Sequence, residues 1–354
     1  MNGHFTSKAI AVGYLMKISA GNVNASHTEG NVVVTKKVTL PDGSAVPYVS
    51  GQALRRMLRD RMEELGFPLS EPFAQVSGQE VTPPVRPWEF ADEDLFGYLD
   101  PSGGRRRTSP VRVSAAVGLF RFQGDRDLGT RSFERFGESV QGGGNMFETE
   151  LYANLFRGCL LIELDRVGVW KSRYELIQPS SKDDPKQREN EEAERENQLR
   201  QQFSELQLVV SDLKTPYKGF VAELPKEEKE KRIQNLFDAL SILWGGGRTA
   251  RMLSDLSPRF LAYVRLKVKH PVFLEALDAR YEDGSFYLNP EPLVNALEKF
   301  QGYRDSTLFG LEPGFLGNEA EVRERLQAYG PVLTLHEALT QAKEDAVKSW
   351  TSSG

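Results

Sequence analysis

The sequence predicts an α+β protein. Apolar residues alternate with a period of two in four segments, and two other segments carry their apolar residues on one helical face. Along the chain these segments follow one another as strand, helix, strand, strand, helix, strand. This β-α-β-β-α-β order is that of the ferredoxin-like, or split βαβ, fold. The same sheet serves as the platform of RNA-recognition motifs, although the aromatic signature of those motifs does not occur here.

Each of the six elements has its own signal. In the first strand, residues 9–18, the apolar positions from Ile10 to Ile18 recur at every second residue. The first helix follows Ser50 and ends before Gly66 and Pro68, whereas the second helix ends at three consecutive glycines, 245–247. The predicted elements are strand 9–18, helix 51–65, strands 111–122 and 151–164, helix 232–244 and strand 260–273.

Four segments interrupt or extend this pattern. Residues 69–110 are rich in Pro, Gly and acidic residues, which predicts an insertion with little regular structure. Residues 123–150 are far longer than an ordinary hairpin loop. Residues 180–202 hold almost no apolar side chain, which favours either a mobile linker or a solvated helix. Short helices are expected after residue 290, at 292–300, 321–329 and 336–350.

Composition indicates a cytoplasmic protein. The single cysteine, Cys159, excludes an intramolecular disulfide and lies in the apolar run CLLIEL, where we expect a core thiol. The first residues lack the pattern of a signal peptide, and no apolar run approaches the roughly 20 residues of a membrane helix. Four widely spaced histidines and one cysteine give no metal-binding pattern and no catalytic triad. We therefore expect no metal, no cofactor and no membrane partner.

Charge is distributed unevenly. The formal net charge is −5, yet Lys and Arg outnumber Asp and Glu by 7 to 3 in residues 1–60, by 8 to 4 in 101–140 and by 6 to 1 in 245–270. The excess acid lies in residues 61–100 and 271–354. Such segregation predicts a local positive field suited to nucleic acid, unless the clusters are simply spread over a mixed surface.

The first helix, GQALRRMLRDRMEEL, carries an unusual arginine group. At 100° per residue its apolar side chains form one stripe, which also includes Arg61, and the opposite side carries Gln52, Arg55, Arg56 and Arg59. Arg56 and Arg59 have an acid four residues later, Asp60 and Glu63, as in an ordinary solvated helix.

Arg55 has no acid at three or four positions in either direction, and its i+4 neighbour is Arg59. Because like charges at that spacing are destabilising, an external anion is its natural partner. Ser50 and Gly51 precede the helix, where free backbone N–H groups favour phosphate. This arrangement favours a phosphodiester chain over a purely solvated helix.

Three other basic stretches are consistent with this interpretation. In the last strand Tyr263, Arg265, Lys267 and Lys269 share one face, which suits either single-stranded nucleic acid or solvent. The segment GGGRTARM, 245–252, places Arg248 and Arg251 beside flexible backbone donors, or is a plain helix stop. The segment GRRRT, 104–108, is expected to be exposed, either on phosphate or in a solvated loop.

The order of three segments identifies a family resemblance. NVNASHTEGNVVVTKKV, then VPYVSGQALRRMLRD, then SPVRVSAAVGLF, resembles the DevR-type branch of CRISPR-associated proteins, the backbone subunits of the type I-B Cascade surveillance complex. The resemblance covers about residues 5 to 170, with weaker support from residues 245–260. The string S-G-Q-A-L-R-R-M-L-R is similar to the S-x-Q-x-L-[KR]-R-x-x-R helix with which related subunits grip guide RNA.

The resemblance implies an RNA-recognition-motif-like palm with finger and thumb insertions. Mapped onto this chain it gives six regions: a first palm half at 1–65 with a guide-facing loop at 21–31, a finger-type insertion at 66–110, middle palm strands at 111–170 with a thumb at 119–150, a charged linker or insertion at 171–230, a second palm half at 231–275, and a helical C-terminal extension at 276–354.

It also implies a non-enzymatic scaffold that polymerises along the CRISPR RNA and exposes it for pairing with target DNA. The implied partners are further copies of the chain and the other Cascade subunits, namely the large, the small and the 5′-handle-binding subunits. Four residues would hold guide phosphates by the motif: Ser50, Gln52, Arg55 and Arg59. The remaining candidates for RNA contact are Asn24, His27, Lys36, Lys37, Gly51, Arg56, Arg112, Arg248 and Arg251, with Phe133, Phe136, Met146 and Phe147 as candidate wedges between bases in the thumb.

Two alternative functions stay open. Related backbone subunits of type III complexes cleave RNA with an Asp in the loop after the first strand. Here that loop, GNVNASHTEGN, contains no Asp, and Glu29 is its only acid, so we expect no ribonuclease activity. An RNA-guided endoribonuclease of the type III kind and a DNA-binding regulator remain the alternatives, and no helix-turn-helix supports the latter.

Overall fold

The computed structural model describes residues 7–70, 73–74, 81–131, 145–245 and 253–350. The helices within these ranges are α1 (Gly51–Glu64), α2 (Ala91–Phe96), α3 (Pro185–Glu205), α4 (Lys226–Ser241), α5 (Glu291–Lys299), α6 (Glu319–Leu326) and α7 (Leu335–Val347). No helix in this part of the chain is both long and apolar enough to cross a membrane.

A 12-stranded mixed sheet forms the centre of the protein. Its strands are β1 (Ala9–Gly21), β2 (Ala25–Glu29), β3 (Val32–Thr35), β4 (Lys37–Thr39), β5 (Ala45–Val49), β10 (Val111–Val113), β11 (Ala116–Gly118), β12 (Gly124–Arg131), β13 (Asn145–Glu163), β17 (Phe260–Leu266), β20 (Arg304–Leu311) and β21 (Val332–Thr334). Smaller sheets contain β6 (Phe73–Ala74) with β7 (Val81–Thr82), β8 (Tyr98–Leu99) with β9 (Arg106–Arg107), β14 (Val169–Lys171) with β15 (Val209–Asp212) and β16 (Phe220–Glu223), and β18 (Asp278–Glu282) with β19 (Ser285–Asn289).

The predicted strands lie side by side at the centre of this sheet. Their order is β17, β1, β13 and then β10 with β11, and every neighbouring pair is antiparallel. Val12, for example, lies opposite Leu160 on one side and Tyr263 on the other. The predicted helices connect these strands as α1 and α4. The sequence patterns therefore identified the central elements and the α+β class correctly.

Helices cover one face of the sheet. The alternate β1 residues Ile10, Val12 and Tyr14 pack in one cluster with residues of α1, α4 and α7. Leu54 and Leu58 supply the contact from α1, since their spacing places them on the same helical face. The predicted apolar stripe of α1 is confirmed, and Arg61 lies buried within it.

The C-terminal region covers the other face. Ala11 and Leu15 pack there with Phe273, Leu293 and other residues of the C-terminal third. Cys159 belongs to this cluster, and burial raises the pKa of its thiol to about 12. The predicted core thiol is confirmed, and β1 has neighbours on both faces, as its continuous run of buried residues shows.

The predicted basic face of the last strand is covered within β17 and exposed only beyond its end, at Lys267 and Lys269. Tyr263 is fully buried, and its hydroxyl donates a hydrogen bond to Asp345 of α7 at 3.0 Å. Arg265 forms an ion pair with the same carboxylate. Lys267 and Lys269 lie beyond the end of β17 and pair with acids of other segments. The side chains of the strand alternate as predicted. On the face predicted to meet nucleic acid or solvent, however, α7 contacts Tyr263 and Arg265.

The C-terminal region also extends the sheet. The three predicted short helices are present as α5, α6 and α7. Between them, β20 pairs with β17, and β21 pairs in parallel with β20. Sequence patterns missed these two strands, because β20 begins with the polar residues 304–307 and β21 is only three residues long.

A small subdomain surrounds the charged segment. Residues 180–202 belong largely to the 21-residue helix α3, the second of the two predicted alternatives. Phe203 at its end packs with Trp170, Phe220 and Leu224 in a separate apolar cluster beside the three-stranded sheet. One buried aromatic residue therefore anchors a helix that is otherwise solvated.

Buried ion pairs hold the insertion after α1 in place. Its described elements are short, as predicted. The Asp94 carboxylate of α2 accepts hydrogen bonds from Arg107 at 2.7 Å, from Arg232 of α4 at 2.8 Å and from the Gly168 amide at 2.9 Å. The Arg107 and Asp94 side chains are both fully buried. These contacts join three distant segments, so the partners of Arg107 could not be found from local sequence.

Two hairpins replace predicted loops. The excursion at 123–150 contains β12, which pairs with β13 from Gly124 opposite Tyr152 to Arg131 opposite Asn145. Residues 132–144, with Phe133 and Phe136, lie outside the described residues, and of Met146 and Phe147 only the backbone is described. The predicted loop 21–31 is largely strand β2 and the turn to β3. The backbone of β2 pairs with β3 although most β2 side chains are polar, so polarity alone wrongly predicted a loop.

Candidate nucleic-acid interface

The start of α1 presents backbone donors to solvent. Ser50 is extended, and its hydroxyl oxygen accepts a hydrogen bond from the Ala53 amide at 3.3 Å, which is N-capping geometry. The Ser50 amide in turn donates to the Asn24 side-chain oxygen at 2.8 Å, so Asn24 positions the cap. The amides of Gly51 and Gln52 belong to the first turn, where backbone N–H groups have no intrahelical acceptor and the helix dipole is positive.

Gly51 is required for close packing. A β-carbon at this position would lie 2.4 Å from the carbonyl oxygen of Val113. The glycine therefore lets the helix start pack directly against the segment between β10 and β11. Its place in the motif has a structural reason in addition to any contact with RNA.

A positively charged groove, which we call groove A, opens at this helix start. Its volume is about 480 Å³. Its lining contains two cations, Lys36 and Arg55, and no acidic side chain. Neither cation has an ion-pair partner among the residues that the structure describes. Groove A is lined by Lys36, Tyr48, Ser50, Gly51, Gln52, Arg55, Val113 and Ala115.

A second groove, groove B, continues along the same helix. It has a volume of about 490 Å³ and shares Gln52 and Arg55 with groove A. The two grooves are therefore parts of one surface, with the unpaired Arg55 between them. Groove B is lined by Gln52, Arg55, Arg59, Phe96, Gly97, Tyr98, Leu99, Arg107, Thr108 and Ser109.

The arginines of α1 differ in their partners. Arg56 pairs with Asp60 at 2.8 Å, as predicted. Arg59 does not use Glu63; it lies 3.5 Å from Asp92 of α2 and 4.8 Å above the ring of Phe96.

Burial lowers the pKa of Arg59, and the nearby Asp92 opposes that shift. Arg59 is thus tied to the protein interior, and its predicted contact with a guide phosphate stays a prediction. Arg55 alone in this group is left without an internal partner within the described ranges.

Other predicted contacts lie around the grooves with acids beside them. His27 of β2 is exposed and 3.0 Å from Glu29. Lys37 forms an ion pair with Glu150 at 3.0 Å and lies 4.2 Å from the ring centre of Phe122. Arg112 pairs with the buried Glu163. These side chains lie outside the lining of groove A, and the cations Lys37 and Arg112 are both neutralised within the fold.

The arginines of residues 104–108 are not uniformly exposed, contrary to expectation. Arg105 pairs with Asp100 at 2.7 Å, and Arg107 is buried against Asp94. Arg106 is exposed and has no ion-pair partner in the described part of the chain. The alternation of a β-hairpin explains this difference, because successive side chains point to opposite faces.

Trp244 and Gly245, where the glycine-rich segment begins, lie beside α1. The Trp244 carbonyl accepts a hydrogen bond from Arg61 at 3.2 Å, and Gly245 borders a third groove that includes Asn24 and Arg56. Arg248 and Arg251 lie outside the described residues. Across the ranges that are described, no group of three His, Cys, Asp or Glu side chains is arranged to hold a metal ion.

Residues 88–283, more than half of the chain, match the family model described as CRISPR-associated negative auto-regulator DevR/Csa2. The chain belongs to this family. The DevR-type membership predicted from sequence is confirmed. The matched range of this DevR/Csa2 family member begins after α1, so groove A is built partly from residues outside it.

Solved structures share the fold of this DevR/Csa2 family member. A chain of a "CRISPR RNA-guided surveillance complex" aligns with a TM-score of 0.53 and 13% identity over 96% of this chain and 99% of the other. A chain of a "CRISPR RNA-guided surveillance complex, pre-nicking" aligns with a TM-score of 0.54 and 12% identity over 94% and 100%. A search of curated proteins gave no match.

Proposed function

We propose that this protein is a non-catalytic backbone subunit of a type I-B Cascade complex and that it binds guide RNA along α1. One observation carries the proposal: groove A combines the start of a helix with two unpaired cations and no acid in its lining. Membership of a CRISPR-associated family and likeness of fold to chains of RNA-guided complexes support it.

Groove A has the chemistry of a phosphate site. Outward amides and the helix dipole favour an anion, and Arg55 adds a fixed positive charge one turn later. Gln52 adds an uncharged side-chain amide to the lining of groove A. Because an internal carboxylate does not compete for Arg55 in the described structure, an RNA phosphate can bind without displacing an ion pair.

The arrangement of the sheet supports a palm of the RNA-recognition-motif kind. The central strands follow the order expected of the split βαβ fold, with β1 and β13 in the middle. Both faces of these strands are covered by other parts of the chain, however. We therefore infer that RNA passes along α1 and the sheet edge, in contrast to RNA-recognition motifs, which stack bases on the sheet itself.

The β12–β13 hairpin suits the role of thumb. Eight consecutive residue pairs join its strands, from Gly124 opposite Tyr152 to Arg131 opposite Asn145. In the proposed assembly each copy contributes one such hairpin, displaces one base at regular intervals and leaves the remaining bases free to pair with target DNA. The Lys37–Glu150 ion pair links the hairpin base to β4 beside groove A.

Absence of catalysis is part of the proposal. The only acid of residues 21–31, Glu29, is exposed and hydrogen-bonded to His27. Assembled complex, incubated with labelled complementary RNA and Mg²⁺, should leave the RNA intact. Cleavage at regular intervals would favour the endoribonuclease alternative and direct attention to Glu29 and His27.

Sequencing the RNA that co-purifies with the protein tests the proposal directly. We expect short RNAs of uniform length that contain CRISPR repeat sequence, and we expect less of this RNA with Arg55→Glu. Recovery of unrelated transcripts, or of double-stranded DNA with a preferred sequence, would instead support the regulator alternative.

A further inference from the structure

Groove B differs from groove A in having an exposed apolar residue. Leu99, which lines groove B, is 65% exposed. The unpaired Arg55 lies at the boundary of the two grooves. A ligand that follows the surface from groove A would therefore meet a cation first and an apolar side chain next.

Arg106 lies beside Leu99 on the same face of the hairpin. The two residues are direct cross-strand partners in β8 and β9, so their side chains project in the same direction. Arg106 is exposed and, within the described ranges, has no acidic partner. The outer face of this hairpin thus presents one apolar and one cationic side chain together.

The inner face fixes the hairpin to the protein. Tyr98 donates a hydrogen bond to the Glu175 carbonyl at 2.9 Å, and its cross-strand partner Arg107 is held by Asp94. Within the turn, Asp100 binds Arg105 at 2.7 Å and the Gly103 amide at 2.9 Å. Leu99 and Arg106 are therefore carried on a rigid element, and little ordering cost is added when a ligand binds to them.

We propose that groove B binds the one nucleobase that each copy displaces, on the RNA strand whose phosphate occupies groove A. The base packs on Leu99, and Arg55 and Arg106 contact the phosphates on its two sides. The inference rests on the proposed function and deepens it by naming the part of the nucleotide that groove B takes. A nucleotide fits this site because it joins an apolar face to an anion, which is the combination that Leu99, Arg55 and Arg106 offer.

The contact should tolerate any base. The Leu99 side chain cannot donate or accept hydrogen bonds, and the Tyr98 hydroxyl and Ser109 hydroxyl that line the groove are already bonded to carbonyl oxygens. Shape and apolar surface are common to all four bases. The contact with Leu99 is therefore suited to a guide whose sequence varies from one complex to another.

Crosslinking locates the base. The full chain is bound to single-stranded RNA of about 10 nucleotides that carries 4-thiouridine at one position in each of a series, since sites for single strands span about 4 to 16 nucleotides. After irradiation the crosslinked peptide is identified by mass spectrometry. We expect a crosslink within residues 97–108. Crosslinks that fall only on other segments would overturn the proposal.

Binding to RNA without bases separates base contact from phosphate contact. Leu99→Ala should lower affinity for ordinary RNA about fivefold, which corresponds to partial burial of one leucine, and should leave affinity for an abasic ribose-phosphate oligomer unchanged. Leu206→Ala removes an exposed leucine at the end of α3 and serves as the matched control, with no expected change. Equal loss on both oligomers would show that Leu99 acts through the fold and would overturn the base contact.

Two variants that each remove one positive charge test whether Arg106 contacts a phosphate. Arg106→Gln should reduce the slope of log affinity against log salt by about 0.7, the value for one phosphate on a single strand. Lys214→Gln, which removes an exposed cation in the small subdomain, should leave the slope unchanged. Equal slopes for both variants and wild type would overturn the contact between Arg106 and phosphate.

Arg55→Glu distinguishes this inference from the proposed function. If that variant binds RNA as well as wild type does, groove A is not the phosphate site and the proposed function fails. If Arg55→Glu weakens binding while Leu99→Ala and Arg106→Gln do not, the proposed function stands and groove B holds no base. Circular dichroism of every variant confirms that the fold is retained.

Discussion

At the scale of single residues, the charged side chains of α1 differ in whether the protein neutralises them. Arg56 has Asp60, Arg59 has Asp92 and Arg61 has Glu64, whereas Arg55 has no acid within the described residues. The free energy available to an RNA phosphate depends on this difference, because a phosphate must compete with any carboxylate already bound. Among the arginines of α1, Arg55 should therefore contribute the most free energy to binding of an RNA phosphate.

We predict that Arg55→Glu weakens RNA binding more than Arg56→Glu. Both substitutions change the charge by the same amount on adjacent residues, so a general effect of the local field is matched. Loss of a charge-assisted hydrogen bond should cost Arg55→Glu about tenfold or more in affinity, and Arg56→Glu no more than about threefold. Filter binding at fixed salt measures both. Equal losses would indicate an ordinary solvated helix.

Residues of the buried ionic cluster serve stability. Arg107 and Asp94 are fully buried, and Arg107 also pairs with Glu175 at 2.9 Å. Arg107→Met would remove one of the two cations bound to Asp94 and the nearer of the two beside Glu175. We expect a loss of about 3–5 kcal/mol in the free energy of unfolding, seen as a lower thermal midpoint.

Arg106→Met is the matched control for that variant, since the neighbouring residue is exposed and has no acidic partner in the described structure. Its effect on stability should stay within about 0.5 kcal/mol. If Arg107→Met unfolds at the same temperature as the control, water or rearranged side chains compensate for the lost charge, and the cluster is not a main source of stability.

At the scale of elements, the β12–β13 hairpin is separable from the core. Leu128 lies opposite Glu148, and the contacts of the hairpin base, Arg126 with Glu148 and Lys37 with Glu150, lie nearer the sheet. The strands can therefore be rejoined beyond Leu128 without removal of those contacts. A two-residue Asn-Gly turn suits such a junction.

We predict that replacement of residues 129–147 by Asn-Gly leaves the protein folded but abolishes displacement of bases. The variant lacks Phe133, Phe136, Met146 and Phe147, so no apolar side chain of the hairpin tip remains to repay the few kcal/mol that unstacking costs. It should bind RNA more weakly than wild type and lose the periodic reactivity of displaced bases in chemical probing.

Two other outcomes of that experiment would contradict the prediction. Aggregation of the shortened protein would show that the hairpin tip packs into the core. An unchanged probing pattern would show that another segment displaces the bases. A full-length variant with serine at the four apolar positions separates loss of length from loss of apolar surface.

At the scale of the whole molecule, the sheet is closed to RNA and the free cations lie at its edge. Helices α1, α4 and α7 cover one face, and the C-terminal region covers the other. The net charge of −5 does not prevent binding, because paired acids neutralise cations in the interior, whereas Lys36 and Arg55 line groove A and Arg106 is exposed beside Leu99 of groove B. A strand of RNA would then run past each copy and onto the next.

We predict that copy number follows RNA length. Sedimentation with guide-length and half-length RNA should give about twice as many copies on the longer strand. If each copy binds several phosphates, as proposed, log affinity should fall roughly linearly with log salt, by about 0.7 for each phosphate. The same copy number on both RNAs would exclude a polymer along the guide.

Features that depend on near neighbours in the chain could be predicted from the sequence alone. Apolar residues at every second position predicted β1, β13 and β17, and apolar residues at helical spacing predicted the buried stripe of α1. The ion pair of Arg56 and the lack of an acid near Arg55 were also predictable, because a helix fixes which residues three and four positions away can meet.

Features that depend on distant partners could be seen only in the folded structure. Tyr263 and Asp345 are 82 residues apart, and Arg232 and Asp94 are 138 apart, so no local pattern could show that α7 covers β17 or that the insertion is locked to α4. The same reason explains Arg59, whose partner lies in α2, and Leu99, which shares groove B with residues of α1 only through tertiary packing. Local geometry fixes short-range contacts, whereas burial of apolar surface and pairing of buried charges over the whole chain select the long-range ones.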